Sequence, residues 1–206
     1  MTQTVPLLAA DEGPPVTVVN AEGPSAFLLV CDHAGNTIPR SMNALGLDAA
    51  ERERHIAWDI GIAGVCRTLA DRLQATLIRQ NYSRLVIDCN RPPGVPTSIP
   101  AVSDGTRVPG NADLGAADRT ARPSEIFAPD HVRISAELDR RQMEGRPTIH
   151  ISMHSFTPVF GGVKRPWQVG LLYHRDSRLA HAKLATLRTD PVLTVGDNEP
   201  YAVSDA

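Results

Sequence analysis

The chain has 206 residues, 42% hydrophobic and 21% charged, close to one domain at the usual ~100–200 residues per domain, so wholesale disorder, a collagen-like fibre and a coiled coil are excluded. Lys and Arg number 21 against 23 Asp and Glu, a formal net charge of -2. That balance lacks the basic excess of a nucleic-acid or anionic-membrane binder, and a small-molecule partner is expected.

Apolar runs such as Ala26–Cys31 fall far short of the ~20 residues that span a bilayer, so no membrane span is expected. The first ten residues carry no Lys or Arg ahead of their short apolar stretch and run straight into Asp11 and Glu12, unlike a signal peptide. Cys31, Cys66 and Cys89 are odd in number and form no CxxC pair, which reads as reduced thiols in a cytoplasmic protein.

Residues 1–24, with Pro6, Pro14, Pro15 and Pro24, read as a leader or edge segment, and 25–206 as a single α/β domain. Ala26–Cys31 is a continuous apolar run of the kind a buried strand shows. Asp48 caps a helical stretch through Arg54, and Ile62, Val65, Cys66, Leu69 and Leu73 carry helical spacing. Ala75–Arg79 and Leu85–Asp88 read as two strands. The Pro- and Gly-rich stretch 90–113 is too long for a simple connection and is expected to be a flexible lid. Pro129 suits the first turn of a helix ending at Gly145, and Thr148–Met153 alternates as a strand does. Trp167–Tyr173 forms another strand, Ser177 caps a helix through Leu187, and Val192–Val195 is a last strand. Such alternation predicts a three-layer α/β/α domain with a mostly parallel or mixed sheet.

In open α/β sheets ligands bind beyond the carboxyl ends of the strands. The residues there are polar: Asp32, His33 and Asn36 after the first strand; Asp88, Asn90 and Arg91 after 85–88; His154 and Ser155 after 149–153; Asp197 and Asn198 after the last. His33 and His154 could ligate Zn²⁺ and leave a position open, or could be capping or core histidines. Asp59 is the best third ligand offered, with an N-cap on the helix from Gly61 as the alternative. Arg84 and Arg91 suit bidentate capture of a substrate carboxylate, or Arg84 pairs with Asp88. Asn90 could donate to the same oxygen, and Asp88 could orient a histidine ligand. Asn36 and Ser155 are taken as further substrate contacts. His150 reads as a satisfied core histidine, His131 and His181 as solvated. No G-x-S-x-G elbow, P-loop or G-x-G-x-x-G is present.

In order along the chain, Cys31-Asp-His-Ala-Gly-Asn-Thr-Ile-Pro39, His55-Ile-Ala-Trp-Asp-Ile-Gly61, Tyr82-Ser-Arg-Leu-Val-Ile-Asp-Cys-Asn-Arg-Pro92, Ile151-Ser-Met-His-Ser-Phe-Thr-Pro158 and Val195-Gly-Asp-Asn-Glu-Pro-Tyr201 resemble the N-formylglutamate amidohydrolase family, which is related in architecture to the zinc exopeptidases. The resemblance implies a metal-dependent hydrolase of C–N bonds in N-acyl amino acids, with zinc at His33 and His154. Asn90-Arg91 resembles the pair that zinc carboxypeptidases and aspartoacylase-like enzymes use for substrate carboxylate and oxyanion. Where the zinc exopeptidases carry H-x-x-E, this chain has His33-Ala-Gly-Asn36, so a carboxylate ligand is expected from elsewhere, Asp59 first. The resemblance also implies a further strand with a Glu-x-Arg type motif and a final helix beyond Ala206. Without that glutamate, Asp32 and Asp88 are the catalytic candidates, with Asp197 as a further substitute, and weak activity is expected. The competing expectation is a non-catalytic relative that binds carboxylate-bearing small molecules.

Overall fold

The computed structural model describes residues 6–201. The chain divides between Phe156 and Thr157 into two compact units. In chain order the first holds β1 (Val16–Val19), β2 (Phe27–Cys31), α1 (Ala49–Arg52), α2 (Ile62–Leu73), β3 (Thr76–Gln80), β4 (Val102–Ser103), β5 (Thr106–Arg107), α3 (Ala116–Arg122), α4 (Ala128–Met143) and β6 (Ile149–Ser152). The second holds β7 (Val159–Phe160), β8 (Val163–Lys164), β9 (Val169–Leu171), α5 (Arg178–Leu187) and β10 (Val195–Asp197).

The main sheet of the first unit runs β1-β3-β2-β6, with β3, β2 and β6 parallel and β1 antiparallel on the edge. Side chains of β2 alternate between two apolar faces. Leu29 and Cys31 join Leu77 of β3 against Ile62, Cys66 and Ala70 of α2, while Leu28, Val30 and Ile78 meet Ile134 and Leu138 of α4. A helix on each face of a mixed sheet is the expected three-layer α/β/α arrangement. It explains why β2 reads as an unbroken apolar run, since both of its faces are covered.

At the amino ends of the strands a buried pair ties the layers together. Arg141 Nε donates to Glu137 Oε1 at 2.7 Å, both side chains being wholly inaccessible. The same guanidinium donates to Ser25 O at 3.2 Å, Phe27 O at 3.4 Å and Thr76 Oγ1 at 3.0 Å.

Several sequence expectations need correction. Residues 85–88 form no strand: Leu85, Val86 and Ile87 are buried in a turn-rich segment at the centre of a third apolar cluster with Ile56, Val108 and Ile126. Their backbone groups pair locally or across loops, Val86 N with Ser83 O at 2.9 Å and Asp88 N with Ser98 O at 2.7 Å. The 90–113 stretch is no free lid. Residues 91–97 are exposed, but beyond them the chain folds into the β4–β5 hairpin and is fastened by the buried Asn111, which donates to Leu85 O and Pro100 O at 2.9 Å each. Pro129 does lie in the first turn of α4, but the helix is entered directly from α3 through a π-helical turn at Pro123–Phe127. The last strand begins at Val195 rather than ending there. His150 is exposed on the edge strand β6 rather than in the core.

In the second unit β9 and β10 pair in parallel, α5 packs on them with Ala180 and Leu184 buried, and β7 and β8 form a hairpin.

Candidate metal centre and its surroundings

β2 and β6 run side by side and in the same direction, so their carboxyl ends deliver His33 and His154 to one place. The rings lie 4.8 Å apart between centroids, inclined at 61°. Asp59 comes from the segment before α2, drawn in by a backbone hydrogen bond from its own N to His33 O at 3.0 Å. Its side chain does not cap the helix, whose N-cap is Gly61. Instead Asp59 Oδ2 lies 3.1 Å from His154 Nδ1, Oδ1 lies 3.5 Å from His33 Nδ1, and the two Nδ1 atoms are 3.2 Å apart.

These three separations test the fit to a metal. Two ligand atoms at ~2.0–2.1 Å from one ion in tetrahedral geometry stand about 3.3 Å apart; His154 Nδ1 lies close to that figure from both His33 Nδ1, at 3.2 Å, and Asp59 Oδ2, at 3.1 Å, while the 3.5 Å contact to His33 Nδ1 is made by the other carboxylate oxygen, Oδ1. The protonation pattern agrees. His33 Nε2 is 2.7 Å from Asp88 Oδ1, and a carboxylate only accepts, so Nε2 carries a proton and Nδ1 is the ring atom that faces Asp59 and His154 and would be free to ligate once deprotonated. The buried carboxylates Asp32, Asp59 and Asp88 gather here, with Arg84 beside Asp59 and Asp88, and a carboxylate-rich setting suits a cation. His33, Asp59 and His154 therefore form a group that could bind a metal ion.

Burial pulls the His33 imidazole toward its neutral form, but hydrogen bonds to Asp59 and Asp88 outweigh this and raise its pKa. Burial likewise opposes charge on Asp59 and Asp88. The histidine hydrogen bonds on Asp59, and His33 with Arg84 on Asp88, hold both carboxyls far below the ordinary range.

Asp88 is fully engaged. Oδ1 also accepts from Asn90 N at 2.9 Å, and Oδ2 accepts from Arg84 Nη2 at 2.6 Å. The ion pair that the four-residue spacing allowed is thus present, and it sits at the centre, where Arg84 Nη1 is also 3.7 Å from Asp59 Oδ1. Asp32 stands on the far side of His154, Oδ2 at 3.8 Å from Nε2. Ser155 belongs to the scaffold: its N donates to Asp59 Oδ2 at 3.1 Å and its hydroxyl to Ile60 O at 3.0 Å. Asn90 and Arg91 are exposed, with Arg91 Nη1 donating to Asn90 O at 3.0 Å. Asn36 points elsewhere, its amide donating to Arg52 O at 3.3 Å and Glu53 Oε1 at 3.1 Å.

Reasoning from sequence passed over Asp130 of α4. It is buried, with Oδ1 3.4 Å from Gln80 Nε2 and Oδ2 without a partner. Burial and the nearby Asp32 push its carboxyl up to about 7, against an opposing pull from His33. No sequence signal marks it beyond a carboxylate in the first turn of the helix.

No curated protein matches the chain. A crystal structure of a gene product of Agrobacterium tumefaciens shares 44% identity over 95% of this chain and 77% of its own, with a TM-score of 0.92. The N-formylglutamate amidohydrolase of Ralstonia eutropha, at 17% identity, shares the fold with a TM-score of 0.59 over 91% of this chain and 77% of its own. The family model for N-formylglutamate amidohydrolase matches residues 25–205, taking in His33, Asp59, Asp88 and His154 together, and the chain belongs to the N-formylglutamate amidohydrolase family of amide hydrolases.

Proposed function

We propose that the chain is a metal-dependent amidohydrolase that cleaves the C–N bond of an N-formyl or similarly small N-acyl amino acid, with N-formylglutamate the first substrate to test. The observation that carries this is the convergence of His33 Nδ1, His154 Nδ1 and the Asp59 carboxylate at 3.1 to 3.5 Å, with Asp88 holding the far side of His33. Two imidazoles and a carboxylate suit Zn²⁺, which when bound supplies Lewis acidity toward the acyl oxygen and lowers the pKa of a water toward neutrality.

The chain's own groups divide the remaining work. Asp88 keeps His33 in the tautomer that presents Nδ1. Asp59 spans both histidines, and its hydrogen bond from Ser155 N fixes the carboxylate plane. Asp32, whose Oδ2 lies 3.8 Å from His154 Nε2, is assigned to take a proton on Oδ2 from the attacking water and return it to the leaving amine. Arg84 gives one edge to Asp88 and keeps N–H groups for a substrate carboxylate, with the exposed Asn90 and Arg91 beside Asp88 as further contacts. The partner is a small molecule, and no helix among the described residues is long and apolar enough to cross a membrane.

The test is reconstitution. Chelated protein is titrated with Zn²⁺, metal content is measured, and hydrolysis is followed over N-formylglutamate and a panel of N-acyl amino acids. One ion per chain, with activity lost together with metal in His154→Ala, is expected. Inactivity across the panel with zinc bound would defeat the amidohydrolase reading and favour a relative that binds such molecules without cleaving them.

A further inference from the structure

Away from the metal group, the Arg79 side chain stands out. Arg79 on β3 is flanked in register by Thr17 of β1 and Cys31 of β2. It has no ion-pair partner among the described residues, and its Nε is buried without a hydrogen bond. It lines a cavity of about 380 Å³, within the range of ~300–1,000 Å³ that small-molecule sites occupy, and the lining contains no carboxylate.

Several other polar groups around this cavity are already bonded to the protein. Asn81 Nδ2 donates to Pro14 O at 2.9 Å and Thr17 Oγ1 at 2.8 Å, and Tyr82 Oη donates to Gly13 O at 2.7 Å. The Asn36 amide is turned onto Arg52 O and Glu53 Oε1. Gly35 is pressed against the next wall, where a Cβ would meet Asn81 O at 2.0 Å. These contacts shape the wall in which the Arg79 guanidinium sits. Arg79 is the one charged side chain in the lining, and no carboxylate of the lining meets its guanidinium.

We propose that this cavity binds a small carboxylate through Arg79. A planar carboxylate matches the guanidinium fork, and a single cation suits one negative charge better than the nearly two of a phosphate monoester. None of the lining residues belongs to the His33–Asp59–His154 group. However, Gly35, Asn36 and Thr37 continue the loop that His33 begins, so an occupant would touch the chain two residues from a ligand of the proposed metal centre.

The test uses the whole protein with butyrate and inorganic phosphate as probes. Phenylglyoxal modification of Arg79 is followed by peptide mass spectrometry, with the exposed Arg67 as internal reference. Butyrate is expected to slow modification of Arg79 and leave Arg67 unchanged, and to do so equally in His154→Ala. In equilibrium dialysis, Arg79→Gln is expected to weaken butyrate binding about tenfold or more. Equal modification of wild-type Arg79 with and without butyrate would overturn the proposal even if the variants failed to fold. Protection by phosphate and not by butyrate would overturn the carboxylate assignment, and protection that vanished in His154→Ala would place the butyrate at the metal group instead.

Discussion

Asp88→Asn probes the centre at its most constrained point. Three donors converge on this carboxylate: His33 Nε2 at 2.7 Å and Asn90 N at 2.9 Å on Oδ1, and Arg84 Nη2 at 2.6 Å on Oδ2. A carboxylate accepts all three, but an amide of the same shape has one accepting oxygen and one NH₂. With the oxygen toward His33, the NH₂ faces the Arg84 guanidinium donor to donor. With the oxygen toward Arg84, the NH₂ faces His33 Nε2 and drives the ring proton to Nδ1, the atom that would ligate the metal. Either way the loss exceeds that of one hydrogen bond. Removing a carboxylate behind a ligating histidine typically lowers metal affinity about 10–100-fold, equivalent to roughly 1.4–2.8 kcal/mol. The near-total burial of both side chains places the expected value toward the upper end. Competition between the apo protein and a chromogenic chelator for Zn²⁺ measures it. An affinity within twofold of wild type, in a variant of unchanged fold by circular dichroism, would refute the tautomer argument.

The remaining expectations concern stability. Asp130 has a folded-state pKa raised to about 7, chiefly by burial and then by Asp32 against the opposing His33, so its favourable contribution is complete below the unfolded value near 3.8 and is lost as pH rises to about 7. Asp130→Asn should therefore stabilise the protein at pH 8, by up to about 4 kcal/mol, and change little at pH 4; urea titrations at the two values giving equal differences would contradict this. Glu137→Ala leaves Arg141 buried without its counter-charge and should cost about 3–5 kcal/mol in denaturant unfolding; a loss below 1 kcal/mol would mean that water reaches the guanidinium. Gly35→Ala sets a methyl 2.0 Å from Asn81 O, so the loop bearing His33 must shift. A loss of about 1–3 kcal/mol in stability and weaker zinc binding should appear together, and wild-type behaviour in both would show that the loop yields freely.

The parts of the fold legible in the sequence were those whose pattern had a single physical cause. Phe27–Cys31 is covered on both faces, and such a strand shows as an unbroken apolar run. Leu85–Ile87 shows the same pattern for a different reason. An apolar run records burial, and here the segment is enclosed by loops and a π-helical turn while its backbone closes local turns. His33 and His154 were legible because strand direction decides where a strand-end side chain goes. Asp59 was ambiguous, since a carboxylate ahead of a helix serves equally as a cap; a hydrogen bond to the His33 carbonyl, 26 positions earlier in the chain, turns it inward. Arg79 and Asp130 were illegible because what distinguishes them is a partner they lack, and local sequence carries no record of that.

The arginine that joins α4 to the strand beginnings also decides how those strands align. Its fork reaches Phe27 O on β2 and Thr76 Oγ1 on β3, two points that coincide only when Leu28 stands opposite Thr76. Sliding β3 by one position would carry Thr76 about 3.3 Å away and would turn Leu77 from the α2 side of the sheet to the α4 side. Apolar side chains alone penalise such a slip softly, because Leu, Ile and Val substitute for one another at modest cost, whereas a buried guanidinium fits one alignment. Arg141 thus acts as a gauge block: it fixes the spacing along the sheet so that His33, at the opposite end of β2, arrives at the height where His154 and Asp59 can meet it.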